Sequence, residues 1–118
     1  MTRAKIHREL LALSHPAHAA VSRRYFKTGP GEYAEGDRFL GIPVPVLRAQ
    51  ARRHQHLPLR TVATLLRSPW HDERALTLMI LVGQYQRADD AGRAAIHLLR
   101  YAIERFPERL RRRYLAIR

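Results

Sequence analysis

Between Ser68 and Tyr85 the chain reads SPWHDERALTLMILVGQY, and this segment constrains the whole architecture. Its Ser68-Pro69 pair predicts a helix start, because a hydroxyl can cap free amides and proline fits the first turn. The two acids that follow lie near the positive end of the helix dipole. The centre is apolar on almost every face, so this helix needs neighbours on more than one side. It is too short to cross a bilayer, and we interpret it as a core helix.

Helical signals continue in both directions from this segment. Apolar residues at helical spacing, together with proline positions, predict helices over about residues 3–13, 16–27, 44–54 and 93–105, with others starting near residues 58 and 107. Residues 28–37 are predicted as a loop and residues 89–92 as a link, and strand alternation is absent. The sequence therefore predicts one all-α domain over residues 1–118, with about six to seven antiparallel helices.

Each predicted helix has a face that should turn inward. From the N-terminus, these faces carry Ile6, Leu10 and Leu13, then Ala17, Ala20, Val21 and Tyr25, then Val62, Leu65 and Leu66, and finally Ile96, Leu99, Ile103 and Phe106. Amphipathic helix pairs joined by tight turns favour a HEAT-like α-solenoid, an alpha-alpha superhelix. The helices are too few to demonstrate an internal repeat, so a compact helical bundle fits the same pattern.

The composition removes several classes of site. The chain has no cysteine, which excludes disulfides, thiolate nucleophiles and zinc–thiolate centres. Its seven histidines do not follow a metal-binding spacing, so we predict neither a metal nor another cofactor. The N-terminus shows no signal-peptide core and the chain no membrane-spanning run. These features predict a cytoplasmic protein without membrane contact.

The chain carries a formal net charge of +12. Such an excess attracts polyanions and steers association with them. Both ends are cationic while the middle is close to neutral, which favours a directed binding surface over a uniform bias. Nucleic acid is the favoured partner. An anionic membrane surface and an arginine-rich proteome are the alternatives.

Two stretches carry a family resemblance. The first covers residues 22–85 and contains RYFKTGPG at 24–31, FLGIPVPVLR at 39–48 and LLRSPWHDER at 65–74. The second covers residues 98–115 and contains LLRYAIERFPE at 98–108. They resemble the DNA alkylation repair family of HEAT-like-repeat DNA glycosylases, the AlkD-like proteins. The first stretch is similar to the beginning of that family and the second to its extreme end.

The resemblance implies both a function and a missing part. Complete family members hydrolyse the N-glycosidic bond of alkylated purines and hold backbone phosphates on a concave helical face. Their central repeats carry a Trp-Asp-x-x-Asp-like segment that supplies the catalytic aspartate. This chain shows no such segment, and the junction would fall near residues 87–93. The resemblance therefore implies an internally shortened DNA-binding member, with no catalytic residue to assign.

Arginine clusters are the candidates for contact with DNA phosphates. Arg48 and Arg52 lie one turn apart on the third predicted helix, and a guanidinium can make paired charge-assisted bonds to phosphate. A solvated helix face explains the same pattern. The complete set of candidates is Lys27, Arg48, Arg52, Arg53, Arg109, Arg112 and Arg113.

Three rival functions remain open at this point. An active glycosylase would need an unexpected acid such as Asp72, although the pairs Asp72-Glu73 and Asp89-Asp90 are typical of structural positions. A protein-interaction module, including a homodimer, would use helix faces that the shortening leaves exposed. An inactive remnant of the family is the third. We interpret Trp70, at a helix start, as a packing anchor.

Overall fold

The computed structural model describes residues 2–25 and 36–97. Over these ranges the chain forms six helices: α1 Arg3–Ala12, α2 Pro16–Tyr25, α3 Val44–Arg53, α4 Leu59–Leu65, α5 His71–Arg87 and α6 Asp90–His97. No strand occurs in this part of the chain, and its one sheet-like contact is an isolated bridge between Arg38 and Trp70. The all-α prediction is confirmed. Lys27, most of the predicted loop, Leu99, Ile103, Phe106 and the predicted helix from residue 107 lie outside the described residues.

Helix α5 is the centre of the packing. It contacts α3, α4 and α6, and Leu76, Ile80 and Leu81 along its length are almost fully buried. The predicted core role of this helix is therefore confirmed. Ile96 of α6 packs against the same core, so the described part of the sixth helix docks where its apolar stripe predicted.

The inward faces of α1 and α4 follow the sequence pattern. Ile6 and Leu10 of α1 are fully buried, as are Val62 and Leu65 of α4. Leu13 departs from the prediction. It caps the C-terminus of α1 beyond the last helical residue, and it is 37% exposed because the chain turns away there.

The predicted inward face of α2 is wrong at Ala17, which is exposed, and at Val21, which is 54% exposed. Ala20 is half-buried, and the side chain of Tyr25 lies outside the described residues. Ala19, which was not predicted to face inward, is buried. The reason is a close approach to Gly41. A Cβ atom at Gly41 would lie 2.2 Å from the carbonyl oxygen of His15 and 2.5 Å from the amide nitrogen of Ala19. Helix α2 therefore orients its small Ala19 toward a glycine that is distant in sequence.

The start of α5 holds the segment that contains Gly41. Asp72 is buried, and its Oδ1 and Oδ2 accept hydrogen bonds from the backbone amides of Leu40 at 2.6 Å and Ile42 at 3.1 Å. The amide of His15 in turn donates to the Leu40 carbonyl at 2.9 Å. One carboxylate therefore connects α5 to the 39–42 segment, and that segment connects to the start of α2.

The predicted start of α5 is wrong by about one half-turn. The helix begins at His71, with Trp70 at the N-cap position and no side-chain capping bond. The Ser68 hydroxyl accepts from the Trp70 amide at 3.0 Å and donates to Glu73 Oε2 at 2.7 Å. Ser68 therefore satisfies one oxygen of the buried Glu73 carboxylate and fixes the residues before the helix, and it does not cap the helix itself.

The predicted link before α6 is shorter than expected. Helix α6 begins at Asp90 and not near Arg93. The Asp89 side chain accepts from the Gly92 amide at 2.8 Å, and the Asp89 carbonyl accepts from the Arg93 amide at 2.9 Å. Asp89 thus caps the helix, a local signal that the acidic pair already carried.

Replacement of Gly41 by alanine tests the close approach of α2. Gly36 offers a matched control, because both glycines have a positive φ, of 79° and 78°, but a Cβ at Gly36 would meet no atom within 4 Å. We expect Gly36→Ala to lower the free energy of unfolding by about 1–2 kcal/mol, the cost of left-handed backbone. Gly41→Ala should lower it by about 3 kcal/mol or more, since a backbone collision is added. Equal losses in urea unfolding would contradict the packing of α2 on Gly41.

The carboxylate of Asp72 can be tested in the same way. Asp72→Asn keeps the shape but leaves one backbone amide facing an NH2 group, so we expect a loss of about 2–4 kcal/mol in the free energy of unfolding. Asp90→Asn is the control, because Asp90 is exposed on the first turn of α6. A thermal or urea melt of Asp72→Asn that matches the control would show that the two hydrogen bonds do not stabilise the fold.

Candidate nucleic-acid interface

The described residues use most of their carboxylates internally. Asp72 and Glu73 are buried, and Asp89 caps α6. Glu9 and Asp37 take part in ion pairs with basic side chains. The cations that these acids do not compensate, such as Arg48 and Arg52, lie exposed on the same part of the chain. The outward-facing charge of the described residues is therefore strongly positive.

Asp37 is one of these internal acids. Arg74 Nη2 donates to its two oxygens at 2.7 and 2.8 Å, and His71 Nδ1 lies 3.4 Å from Oδ2. Burial opposes ionisation of this carboxyl, but the hydrogen bonds and charges of His71 and Arg74 outweigh it, so the pKa of Asp37 lies below its ordinary value. This carboxylate holds the residues before Phe39 against the start of α5.

Glu9 joins α1 to the end of α3. Its Oε2 lies 2.8 Å from His54 Nε2, and its Oε1 accepts from Arg53 Nη2 at 3.1 Å. Desolvation opposes ionisation, but the hydrogen bonds and charges of His54 and Arg53 lower the pKa of Glu9. Arg53, a predicted phosphate contact, is therefore already ion-paired, although its side chain is 62% exposed.

Arg48 and Arg52 form the open part of the predicted site. Leu47 and Ala51 are buried on the inner side of α3. The two arginines therefore lie exposed, one turn apart, on its outer side. Neither makes an ion pair or hydrogen bond to another described residue. The remaining candidates, Lys27, Arg109, Arg112 and Arg113, lie outside the described residues.

Sequence reasoning did not single out a cleft beside α1. A cavity of about 340 Å³ is lined by Arg3, Ala4, His7 and Trp70, and we refer to it as the α1–Trp70 cleft. The rings of His7 and Trp70 lie 5.8 Å apart between centroids, with a 39° angle between their planes. The Arg38 guanidinium lies 6.0 Å from the Trp70 ring centroid. Trp70 is thus a packing residue that also borders an open site.

A buried carboxylate holds the histidine of this cleft. Glu73 is fully buried, and its Oε2 lies 3.2 Å from His7 Nδ1 while it also accepts from the Ser68 hydroxyl. The two partners are 66 positions apart in the chain. A surplus of basic residues near the N-terminus was the one sequence signal for this region, and it did not indicate a pocket.

The described residues give no sign of a metal centre. They contain no group of three histidine, aspartate or glutamate side chains that could hold a metal ion. Over the same ranges, no helix is long and apolar enough to cross a membrane.

Comparison with known proteins identifies the family. The model of a family described as "DNA alkylation repair enzyme" matches residues 6–108. Searches of curated proteins and of solved structures find no significant match. The family match spans most of the chain and covers α2 to α6 as well as the larger part of α1. This chain therefore belongs to the DNA alkylation repair enzyme family.

Proposed function

We propose that this protein binds duplex DNA through backbone phosphates, with little sequence preference and without excising bases on its own. The observation that carries the proposal is the outer face of α3, where Arg48 and Arg52 are exposed and have no partner among the described residues. Membership of a DNA alkylation repair family supports DNA as the polyanion. The family match itself supports a function related to DNA repair.

The pairing of acidic side chains within the fold supports phosphate binding. Carboxylates such as Asp37 and Glu9 are tied to histidines and arginines within the fold, so few of them can repel an approaching phosphate. The positive field of the exposed guanidiniums is then weakened little by nearby negative charges, so it attracts a polyanion. Neutralising phosphates releases counterions, which gives the affinity a sequence-independent part and a steep salt dependence.

We also propose that the helices are arranged as a HEAT-like α-solenoid. Support comes from the packing of α4 on α5 and of α5 on α6, because these are successive helices joined by short connections. Helix α3 packs on α5 as well, which is the layered contact expected of stacked repeats. In this arrangement the outer side of α3 would form part of a continuous basic surface.

The surroundings of Asp72 argue against the rival of an active glycosylase. Both oxygens of this carboxylate accept backbone amides, and the residue is 4% exposed. The neighbouring Glu73 is fully buried. An acid that stabilises an oxocarbenium ion must reach the sugar, and neither side chain reaches the surface. Base excision would therefore need a catalytic segment that this sequence lacks.

Salt-dependent binding to a labelled blunt duplex is the central test. If about six phosphates are neutralised, log K should fall with log salt at a slope near −5. The double variant Arg48→Gln/Arg52→Gln should reduce that slope by about two. The control Arg60→Gln/Arg67→Gln removes the same charge from exposed positions outside α3. A flat salt response, or equal effects of the two double variants in fluorescence anisotropy, would reject the α3 surface.

Base release from methylated duplex DNA tests the absence of catalysis. At stoichiometric protein, we expect chromatography to detect no methylated purine above the rate of spontaneous loss. Release that disappears in Asp72→Asn, with the variant still folded by circular dichroism, would instead establish the protein as a glycosylase.

The other interpretations make different predictions. A protein-interaction module would bind another chain or a second copy of itself through exposed side chains such as Leu11 and Val21, and it would bind DNA weakly at every salt concentration. An inactive remnant would show neither property. The cytoplasmic location stays a prediction of the sequence.

A further inference from the structure

We propose that the α1–Trp70 cleft binds an unpaired nucleotide of a DNA strand, with the base stacked on the Trp70 indole and the phosphate paired with Arg3. The inference rests on the proposed DNA binding, because the basic surface would bring the strand to the cleft. It assigns a second site with a different ligand. The α3 arginines contact the backbone of a duplex, whereas this cleft takes one nucleotide out of the stack.

The lining of the cleft matches a nucleotide in size and chemistry. Its volume of about 340 Å³ lies at the lower end of small-ligand pockets. An indole supplies a flat apolar surface, a guanidinium supplies paired donors for phosphate, and the small Ala4 lines the same cleft. Aromatic surfaces beside positive charge are the usual means by which proteins hold unpaired bases.

The indole is held in place before any ligand arrives. The Trp70 amide donates to the Ser68 hydroxyl at 3.0 Å, and the side chain packs partly against the core. Next to it, the Arg38 carbonyl accepts from the His71 amide at 2.8 Å, and the Arg38 guanidinium approaches the indole ring. A surface positioned in this way loses little conformational entropy when a base stacks on it.

His7 forms a second fixed wall. Its Nδ1 is hydrogen-bonded to Glu73, a carboxylate with no exposure to solvent. Its Nε2 makes no hydrogen bond within the described ranges, so it remains available to a base edge or a phosphate oxygen. The centroids of the two rings lie 5.8 Å apart, which is too close for a base to insert between them, so the base would stack on the indole with His7 at its edge.

The phosphate end of the nucleotide is assigned to the start of α1. Arg3 is the first residue of that helix, its side chain is exposed, and the first turn contains no acid. The positive end of the helix dipole lies at the same point and adds to the charge of Arg3. Base and phosphate would therefore meet complementary groups within one cleft.

Trp70 is the only tryptophan in the chain, so its fluorescence reports directly on the cleft. A 5′-phosphorylated single-stranded tetranucleotide is titrated into the protein while anisotropy of a labelled copy follows binding. We expect saturable quenching of Trp70 with the same midpoint as the anisotropy change. A blunt duplex should bind without comparable quenching. Binding of the tetranucleotide that leaves Trp70 emission unchanged would overturn the inference.

A matched pair of charge reversals tests the phosphate contact. Arg3→Glu and Lys5→Glu alter the same net charge within two positions of α1, but only Arg3 lines the cleft. Both variants should fold, because an acid near the start of a helix favours its dipole. We expect Arg3→Glu to bind the tetranucleotide at least about tenfold more weakly than Lys5→Glu does. Equal losses would mean that only net charge acts and would overturn the site.

Two further arms separate this inference from the proposed function. Duplex binding that persists while the tetranucleotide fails to quench Trp70 rejects the cleft and leaves the duplex proposal standing. Quenching by the tetranucleotide without duplex binding would reject the duplex proposal and leave the cleft proposal standing. A free mononucleotide that quenches with the affinity of the tetranucleotide would assign the cleft to free nucleotides and would overturn its assignment to a DNA strand.

Discussion

The two hydrogen bonds that Asp72 accepts from Leu40 and Ile42 are the contact on which the described fold depends. They bring a charged side chain into the core, which is tolerable because both oxygens are satisfied by backbone donors. They also place Gly41 against α2, where any larger residue would collide with helix backbone. The central helix thereby controls the position of a helix that precedes it by many residues.

This internal use of acids shapes the surface of the protein. A chain with net charge +12 would repel itself if its arginines were crowded in the interior. Instead, ion pairs such as Glu9 with Arg53 and Asp37 with Arg74 join elements within the fold. Other arginines of the described residues, such as Arg48 and Arg52, lie exposed. The same distribution of charge therefore supports both the fold and the proposed binding of a polyanion.

The start of α5 concentrates several structural contacts within a few residues. Asp72 positions the segment before α3, while Glu73 holds His7 at the wall of the cleft. Trp70, just before these two acids, packs against the core and also lines the cleft. The contacts that join α5 to the rest of the fold therefore also fix the wall of the cleft that we propose as a nucleotide site.

Local patterns in the sequence were sufficient for the all-α fold, the buried centre of α5, the inner faces of α1 and α4, and the family. Each of these depends on spacing within one helix or on short motifs. The face of α2 that is buried and the α1–Trp70 cleft could not be obtained in this way. Ala19 turns inward because Gly41 approaches it, and the cleft exists because tertiary packing brings His7 to Glu73 across 66 positions. Contacts between residues so far apart produce no periodic pattern in the sequence, so only the packed helices show them.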